Sequence, residues 1–276
     1  MTKTIGNTVE SYETTFEAKT PISHGADSSQ GTRQRLRTLR MKMPEEVDAE
    51  FDDIPVVSGN SLRGQLRDLL AQDFLERIDV ELHDTLSNSF WSGGTPESDT
   101  GGATIDRRQA ENIRELVPPL SLLGGSVGNI IEGKLKVGML VPIGVETQEY
   151  TGVESQKSVW EYKDKTYYTR TDDRDGGRDG EEQKQQMKYE VDVLIPGTQF
   201  HHSLDLVGAS EVERGALHHA FDLFDEQPYI GGMSRVGHGE VEHGYDFDGA
   251  DAYLKFVENN EDEIREFVLE LDEKLT

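Results

Sequence analysis

The chain has 276 residues, 54 Asp and Glu against 28 Lys and Arg, no cysteine and 34% hydrophobic residues, for a formal charge of −26. Without cysteine there is no disulfide framework, no thiolate nucleophile and no Cys-ligated metal centre, so only His and carboxylates remain as metal ligands. No run approaches the ~18 apolar residues of a membrane span, and the opening MTKTIGNTVESYETTF lacks the basic-then-apolar pattern of a secretory signal, so a soluble, cytoplasmic protein with no membrane partner is expected.

Acidity of this degree fits either a disordered polyanion or a folded protein adapted to high salt. Apolar residues recur here in strand and helix periods, and lysine numbers only 12. That reads as a folded halophilic protein. In molar salt the Debye length is ~3 Å, so net charge says little about partners.

In chain order, residues 9–20 form a β-prone run ending at Pro21, a first strand. Residues 28–44 then hold Arg33, Arg35, Arg37, Arg40 and Lys42 and no carboxylate, the one clear positive island. If extended, this segment places Arg33, Arg35 and Arg37 on one side. In PVVSGNSLRGQLRDLLAQDFLERI, Ser58, Asn60 and Ser61 offer N-caps, and Leu62, Leu66, Leu69, Leu70 and Phe74 form a helical stripe. Residues 90–102 read as a loop, and 106–117 as a short helix stopped by Pro118-Pro119. Leu135, Val137, Met139, Val141 and Ile143 alternate as a strand. The polar, aromatic-speckled residues 146–188 (Tyr150, Trp160, Tyr162, Tyr167, Tyr168) read as an inserted, projecting hairpin. The core resumes with the strand YEVDVLIPGTQF and the amphipathic helix 210–226. A glycine-rich turn, GGMSRVGHGEV, follows, and one acidic helix over 253–275 closes the chain. Split βαβ units in this order predict an α+β, ferredoxin-like fold of the RRM type with a long insertion.

Two motifs carry chemistry. Ser58 to Gly64 ends a strand and opens a helix, so backbone N–H groups and the positive end of the dipole face whatever lies there, which suits a phosphate. Arg63 and Arg67, at i and i+4, share a helix face and can both reach a nucleic-acid backbone. A plain capped helix whose arginines pair with local carboxylates competes with that reading. The glycines of GGMSRVGHG permit close backbone approach to a ligand, but the segment matches neither GxxxxGK[ST] nor GxGxxG, and an ordinary glycine-rich turn is the alternative. His201-His202 and His218-His219 point in different directions and HExxH is absent, so no metal and no cofactor is expected. His24, near Asp27, is a candidate acid–base pair or a structural residue. The insertion aromatics can stack bases or hold a hairpin together.

Taken together, ISHGADSSQGTRQRLRTLRM, IPVVSGNSLRGQLRDLL, PPLSLLGGSVGNIIEGKLKVG and GGMSRVGHGEV resemble the CRISPR-associated RAMP superfamily. Within it they are most similar to the guide-RNA-binding backbone subunit of the effector complex, the seventh-subunit group, in its type IV version, here from a halophilic archaeon. The resemblance implies an RRM-type palm (1–145 and 189–276), a thumb (146–188) that folds over RNA held by a neighbouring copy, and a C-terminal acidic helix. It implies that Ser58, Asn60, Ser61, Arg63 and Arg67 hold crRNA phosphates, with Gly231, Gly232, Ser234, Arg235 and Gly237 beside the same strand. Target nucleic acid, copies of the chain in a helical filament and other CRISPR effector subunits are the implied partners. Related type III subunits cut target RNA through an aspartate between the first strand and the SGNSLRG element, where this chain has Asp27, Asp48, Asp52 and Asp53. A non-catalytic subunit is the favoured expectation. A RAMP endoribonuclease using Asp27 or Asp52 with metal, or His24, is the runner-up, and a halophilic scaffold that binds only protein is the third reading.

In high salt counterion release contributes little. RNA binding by this chain therefore has to rest on short-range contacts: Arg forks, backbone N–H groups, stacking and burial between copies.

Overall fold

The computed structural model describes residues 8–26, 31–94, 107–127, 130–170 and 187–275. Strand β1 (Val9–Ala18) turns Tyr12, Phe16 and Ala18 inward by simple alternation. Next come β2 (Arg33–Gln34) and an antiparallel hairpin of β3 (Thr38–Lys42) and β4 (Phe51–Pro55). Helix α1 (Gly59–Arg77) starts at Ser58, whose Oγ accepts from the N–H of Asn60, and it buries Leu62, Leu66, Leu70 and Phe74. Three short helices follow, α2 (Asp84–Trp91), α3 (Arg107–Leu116) and α4 (Pro118–Leu123). Beyond them lie the small hairpin β5 (Gly125–Ser126) with β6 (Ile130–Ile131), then β7 (Leu135–Val137) and β8 (Val141–Pro142). After α5 (Gln148–Thr151) the chain forms β9 (Lys163–Arg170), β10 (Met187–Leu194) and β11 (Gln199–Val207). Helix α6 (Glu211–Glu226) is fixed at its start by a capping box between Ser210 and Glu213. The chain finishes with β12 (Val241–His243), α7 (Asp251–Asn259) and α8 (Glu261–Leu275).

The main sheet has the order β12-β1-β11-β7, with β8 also on β11, and every neighbouring pair is antiparallel. Helix α1 crosses from β1 to β7 and α6 from β11 to β12. These interleaved crossovers are the split βαβ pairs of a ferredoxin-like α+β fold. Both helices cover one face of the sheet, with Phe16, Leu66, Phe74, Phe200, Leu204, Leu217, Phe221 and Phe224 in the core between. The other face is open and polar, bearing Ser11, Glu13, Thr15 and Glu17 of β1 opposite Asp205, Ser203, His201 and Gln199 of β11. A second sheet joins β9 to β10 antiparallel and β10 to β2 in parallel. A satellite core of Met43, Ile54, Val56, Val141 and Val159 binds the β3–β4 hairpin to the base of the insertion. Among the described residues, no helix is long and apolar enough to cross a membrane.

Several local expectations change. Helix α3 ends at Leu116 ahead of Pro118-Pro119, as expected, and the two prolines also begin α4, because proline in the first turn forfeits no hydrogen bond. The closing helix is two, divided at Asn260, whose Nδ2 donates to the Phe256 carbonyl at 2.7 Å. The tandem Asn259-Asn260 is a weak helix former that competes for backbone partners. Segment 187–194 is an arm of the inserted hairpin, and the core strand is 199–207. Val191, Asp192, Val193 and Leu194 are all buried at the hairpin base, so its apolar residues read as those of a core strand. Phe90 belongs to α2 and stacks on Phe74 at 6.1 Å, while 95–102 of the expected loop lies outside the described residues. The alternating run 135–143 is broken: Leu140 leaves β11 to pair with Val57, and Met139 is exposed.

Candidate nucleic-acid interface

The strip 22–26 leaves the end of β1 and is held from three sides. Ile22 and Leu194 exchange both backbone hydrogen bonds at 2.9 Å, tying the strip to the end of β10. Gly232 N–H donates to Ser23 O at 2.6 Å, bringing in the glycine-rich loop. Arg37 N–H donates to His24 O at 2.8 Å and Ala26 N–H to Arg35 O at 2.9 Å, bringing in the basic island. The island passes on to the helix start, since Val56 N–H reaches Arg37 O at 3.0 Å and Val57 and Leu140 exchange bonds at 3.1 and 2.9 Å. Gly231 N–H closes the circuit on Ser61 Oγ at 2.7 Å. Segments far apart in sequence are thus woven into one rim at one end of the sheet.

Glycine is required twice here. Gly231 has φ +78°, and a Cβ there would lie 2.5 Å from Ser23 O. A Cβ on Gly59 would lie 2.3 and 2.4 Å from the carbonyl oxygens of Val137 and Gly138, so the helix start sits directly on the edge strand.

Arg35 and Arg235 are exposed on this rim, Arg40 and Lys42 are exposed farther along β3, and none of the four is in an ion pair among the described residues. The Arg40 guanidinium lies 5.3 Å from the centre of the half-exposed Phe51 ring. Asn60, Ser234 and Gly237 are exposed beside them, with Gly237 at φ +83° ending a short 3₁₀ turn. The expected one-sided array of Arg33, Arg35 and Arg37 does not form. Arg33 turns to the inserted hairpin and bonds the fully buried Asp192 carboxylate at 3.1 Å and Glu190 at 3.3 Å. Arg37 is half-buried where its backbone links the strip to the helix start.

Arg63 and Arg67 also depart from expectation. They share a face, but that face is turned inward. Arg63 donates from Nη1 to Leu135 O at 2.9 Å and from Nη2 to Leu123 O at 2.5 Å. Arg67, only 9% exposed, donates from Nη1 to Gly124 O at 2.7 Å and from Nη2 to Leu123 O at 2.6 Å. Both bind the carboxyl end of α4, where free carbonyls attract cations, and not local carboxylates. Desolvation pushes the Arg67 guanidinium down to about 10 and Arg63 below its usual range.

Of the candidate catalytic groups, Asp27 lies outside the described residues. Asp52 accepts from the Trp160 indole N–H at 3.0 Å and from the N–H of Asp53 at 2.8 Å, pinning the β3–β4 hairpin to the insertion. His24 is half-buried in the strip. Among the described residues no group of three or more His, Asp or Glu is placed to hold a metal ion. His201 lies on the open sheet face and His202 on the buried one, where desolvation drives its pKa down to about 4 and its Nδ1 meets the Tyr245 hydroxyl at 2.8 Å.

The insertion contributes groups that sequence reasoning passed over. Lys163, Lys165 and Lys188 share one face of the β9–β10 hairpin with Tyr167, by strand parity and register. Lys163 contacts Asp192 at 3.1 Å and Lys165 contacts Glu190 at 2.7 Å. Lys188 Nζ sits 4.2 Å from the centre of the exposed Tyr167 ring, and on the opposite face Tyr168 stacks on Tyr189 at 4.9 Å. The signal was available: five of the 12 lysines fall within residues 146–188.

The family model described as RAMP superfamily matches residues 15–242. A chain of a solved "Type IV-B CRISPR Complex" superposes with a TM-score of 0.60 at 21% identity, covering 85% of this chain and 90% of that one. No curated protein matches the chain.

Proposed function

Because the chain belongs to the RAMP superfamily, we propose that it is a non-cleaving subunit of a CRISPR effector complex that holds crRNA by its phosphates. In this reading the bases stay free to pair with target nucleic acid, copies of the subunit follow one another along the guide in a helical filament, and other effector subunits attach to that filament. The likeness in fold to a chain of a CRISPR complex supports it. The observation that carries it is a set of exposed cations without an ion-pair partner among the described residues, Arg35 and Arg235 on the rim and Arg40 and Lys42 on the strand leading from it, in a protein of charge −26.

At high salt only contacts within a few ångströms act strongly, and a guanidinium forked on a phosphate beside backbone N–H donors is such a contact. RRM domains stack bases on aromatic residues of the open sheet face. Here that face carries the carboxylates Glu13, Glu17 and Asp205 beside His201, and their negative charge favours the rim as the path of the strand. The insertion 146–188, with its returning strand carried to Leu194, acts as the thumb, and Tyr167 under Lys188 is its stacking platform. The subunit is taken as non-cleaving because the Asp52 carboxylate is engaged by Trp160.

The test is RNA extracted from protein purified in molar KCl. A discrete guide-length species is expected, and replacing Arg35, Arg40, Lys42 and Arg235 by Glu removes it while the circular dichroism spectrum stays unchanged. Equal RNA content in that variant, or none in the parent protein, overturns the reading. Labelled complementary RNA should remain intact on the complex; regularly spaced products lost in Asp52→Ala would reinstate the endoribonuclease.

A further inference from the structure

Arg63 and Arg67 pose a question the rim does not answer. Two like charges stand one helical turn apart, both converge on the Leu123 carbonyl, and the ion pairs of the described residues give neither a carboxylate. Charge-assisted bonds from buried guanidiniums to carbonyls are strong, and their planar forks fix direction as well as distance.

The brace joins three separate pieces. It runs from α1 to the end of α4, to the turn at Gly124, and to the edge strand at Leu135. The turn is tight: Gly124 has φ +71°, and a Cβ there would lie 2.7 Å from Gly133 N and 2.8 Å from Ile131 O. Everything the rim uses from α1 lies within two turns of this brace. Gly59 rests on Val137 and Gly138, Val57 pairs with Leu140, and Ser61 Oγ receives Gly231 N–H.

We infer that Arg63 and Arg67 are positioning residues: their carbonyl brace locks α1 to the edge strand and so sets where the helix start and the glycine loop present their N–H groups to a phosphate chain. The ligand chemistry rests on the function proposed above; the positioning does not. A phosphate-binding arginine would spend its N–H groups outward on the ligand, whereas the four hydrogen bonds recorded for this pair all run inward.

The experiment uses the full chain with Arg63→Lys, Arg67→Lys and both together, and the corresponding alanine variants for the salt slope. Lysine keeps the charge but lacks the planar fork that spans two carbonyls. Hydrogen exchange in the RNA-free protein reads the positioning directly. The amides of Gly231 and Leu140 should exchange about tenfold faster or more, while the β1–β11 ladder keeps its protection. Affinity for a guide-length single-stranded RNA, measured from low to molar KCl, should fall about tenfold at every salt concentration with an unchanged slope of log K against log salt. A slope reduced by about 0.7 for each arginine replaced by alanine would make them phosphate contacts and overturn the inference. So would unaltered exchange at Gly231 and Leu140. If the parent protein holds no RNA, the proposed function fails and the exchange measurement still decides this one.

Discussion

On the helical layer each of several exposed cations has a carboxylate one turn away. Arg77 lies 2.6 Å from Asp73, Lys255 2.8 Å from Asp251, Arg265 2.5 Å from Glu261 and Lys274 3.6 Å from Glu270. On the rim and along β3, Arg35, Lys42 and Arg235 stand without such a partner among the described residues, and Arg40 lies over the Phe51 ring. A chain with 54 carboxylates for 28 cations can neutralise every cation it has. Cations left unpaired in such a chain are available to a partner from outside, and paired ones are not.

The strongest way to break this contrast is charge reversal. Glu at positions 35, 40, 42 and 235 should weaken RNA binding on the order of a thousandfold and lower the salt slope by about 3, while the unfolding midpoint stays within a few degrees. The next effect concerns the shared interior beneath both regions. Below pH ~6.5 the unfolded chain protonates His202, whereas the folded protein refuses that proton until pH falls to about 4. Stability is therefore full above pH ~6.5 and falls by about 3 kcal/mol as pH drops toward 4. Urea titrations across that range should show the loss, and His202→Gln should flatten it. Gly59→Ala should cost about 2 kcal/mol, read as a lower urea midpoint at constant m, because its methyl meets two carbonyl oxygens of the edge strand. The smallest effect belongs to the helical layer, where Lys274→Ala should shift the melting temperature by about 1 °C or less and leave RNA binding intact. A large loss of RNA binding there would erase the distinction.

Much of the main sheet and its covering helices was legible because their signals are local. The stripe Leu62, Leu66, Leu70, Phe74 and the capping box at Ser210 and Glu213 are readable from spacing alone, and the strand–helix–strand order then implies the sheet. Strand 187–194 reads as a core strand because burial at the base of a hairpin calls for the same apolar residues, Val191, Val193 and Leu194, as burial in a core. Spacing also placed Arg63 and Arg67 on a common face, but it carries no information on what that face meets. The carbonyls of Leu123, Gly124 and Leu135 arrive from 56 to 72 residues away. The rim was half legible: its four segments stood out in the sequence, whereas their joining through strip 22–26 depends on backbone hydrogen bonds that side-chain identity does not encode.

The interruption of the sheet at Met139 and Leu140 bears on how such subunits avoid each other's strands. An unbroken border would offer a row of bare amides and carbonyls on which a second chain can polymerise without limit. One border here is β12, three residues long, and the other is split into pieces of three and two residues with a peptide diverted to Val57. Neither offers a ladder long enough to recruit a stranger. The borders of the main sheet are thereby protected from amyloid-like stacking, and any contact made across them is left to side chains, which can specify a single geometry.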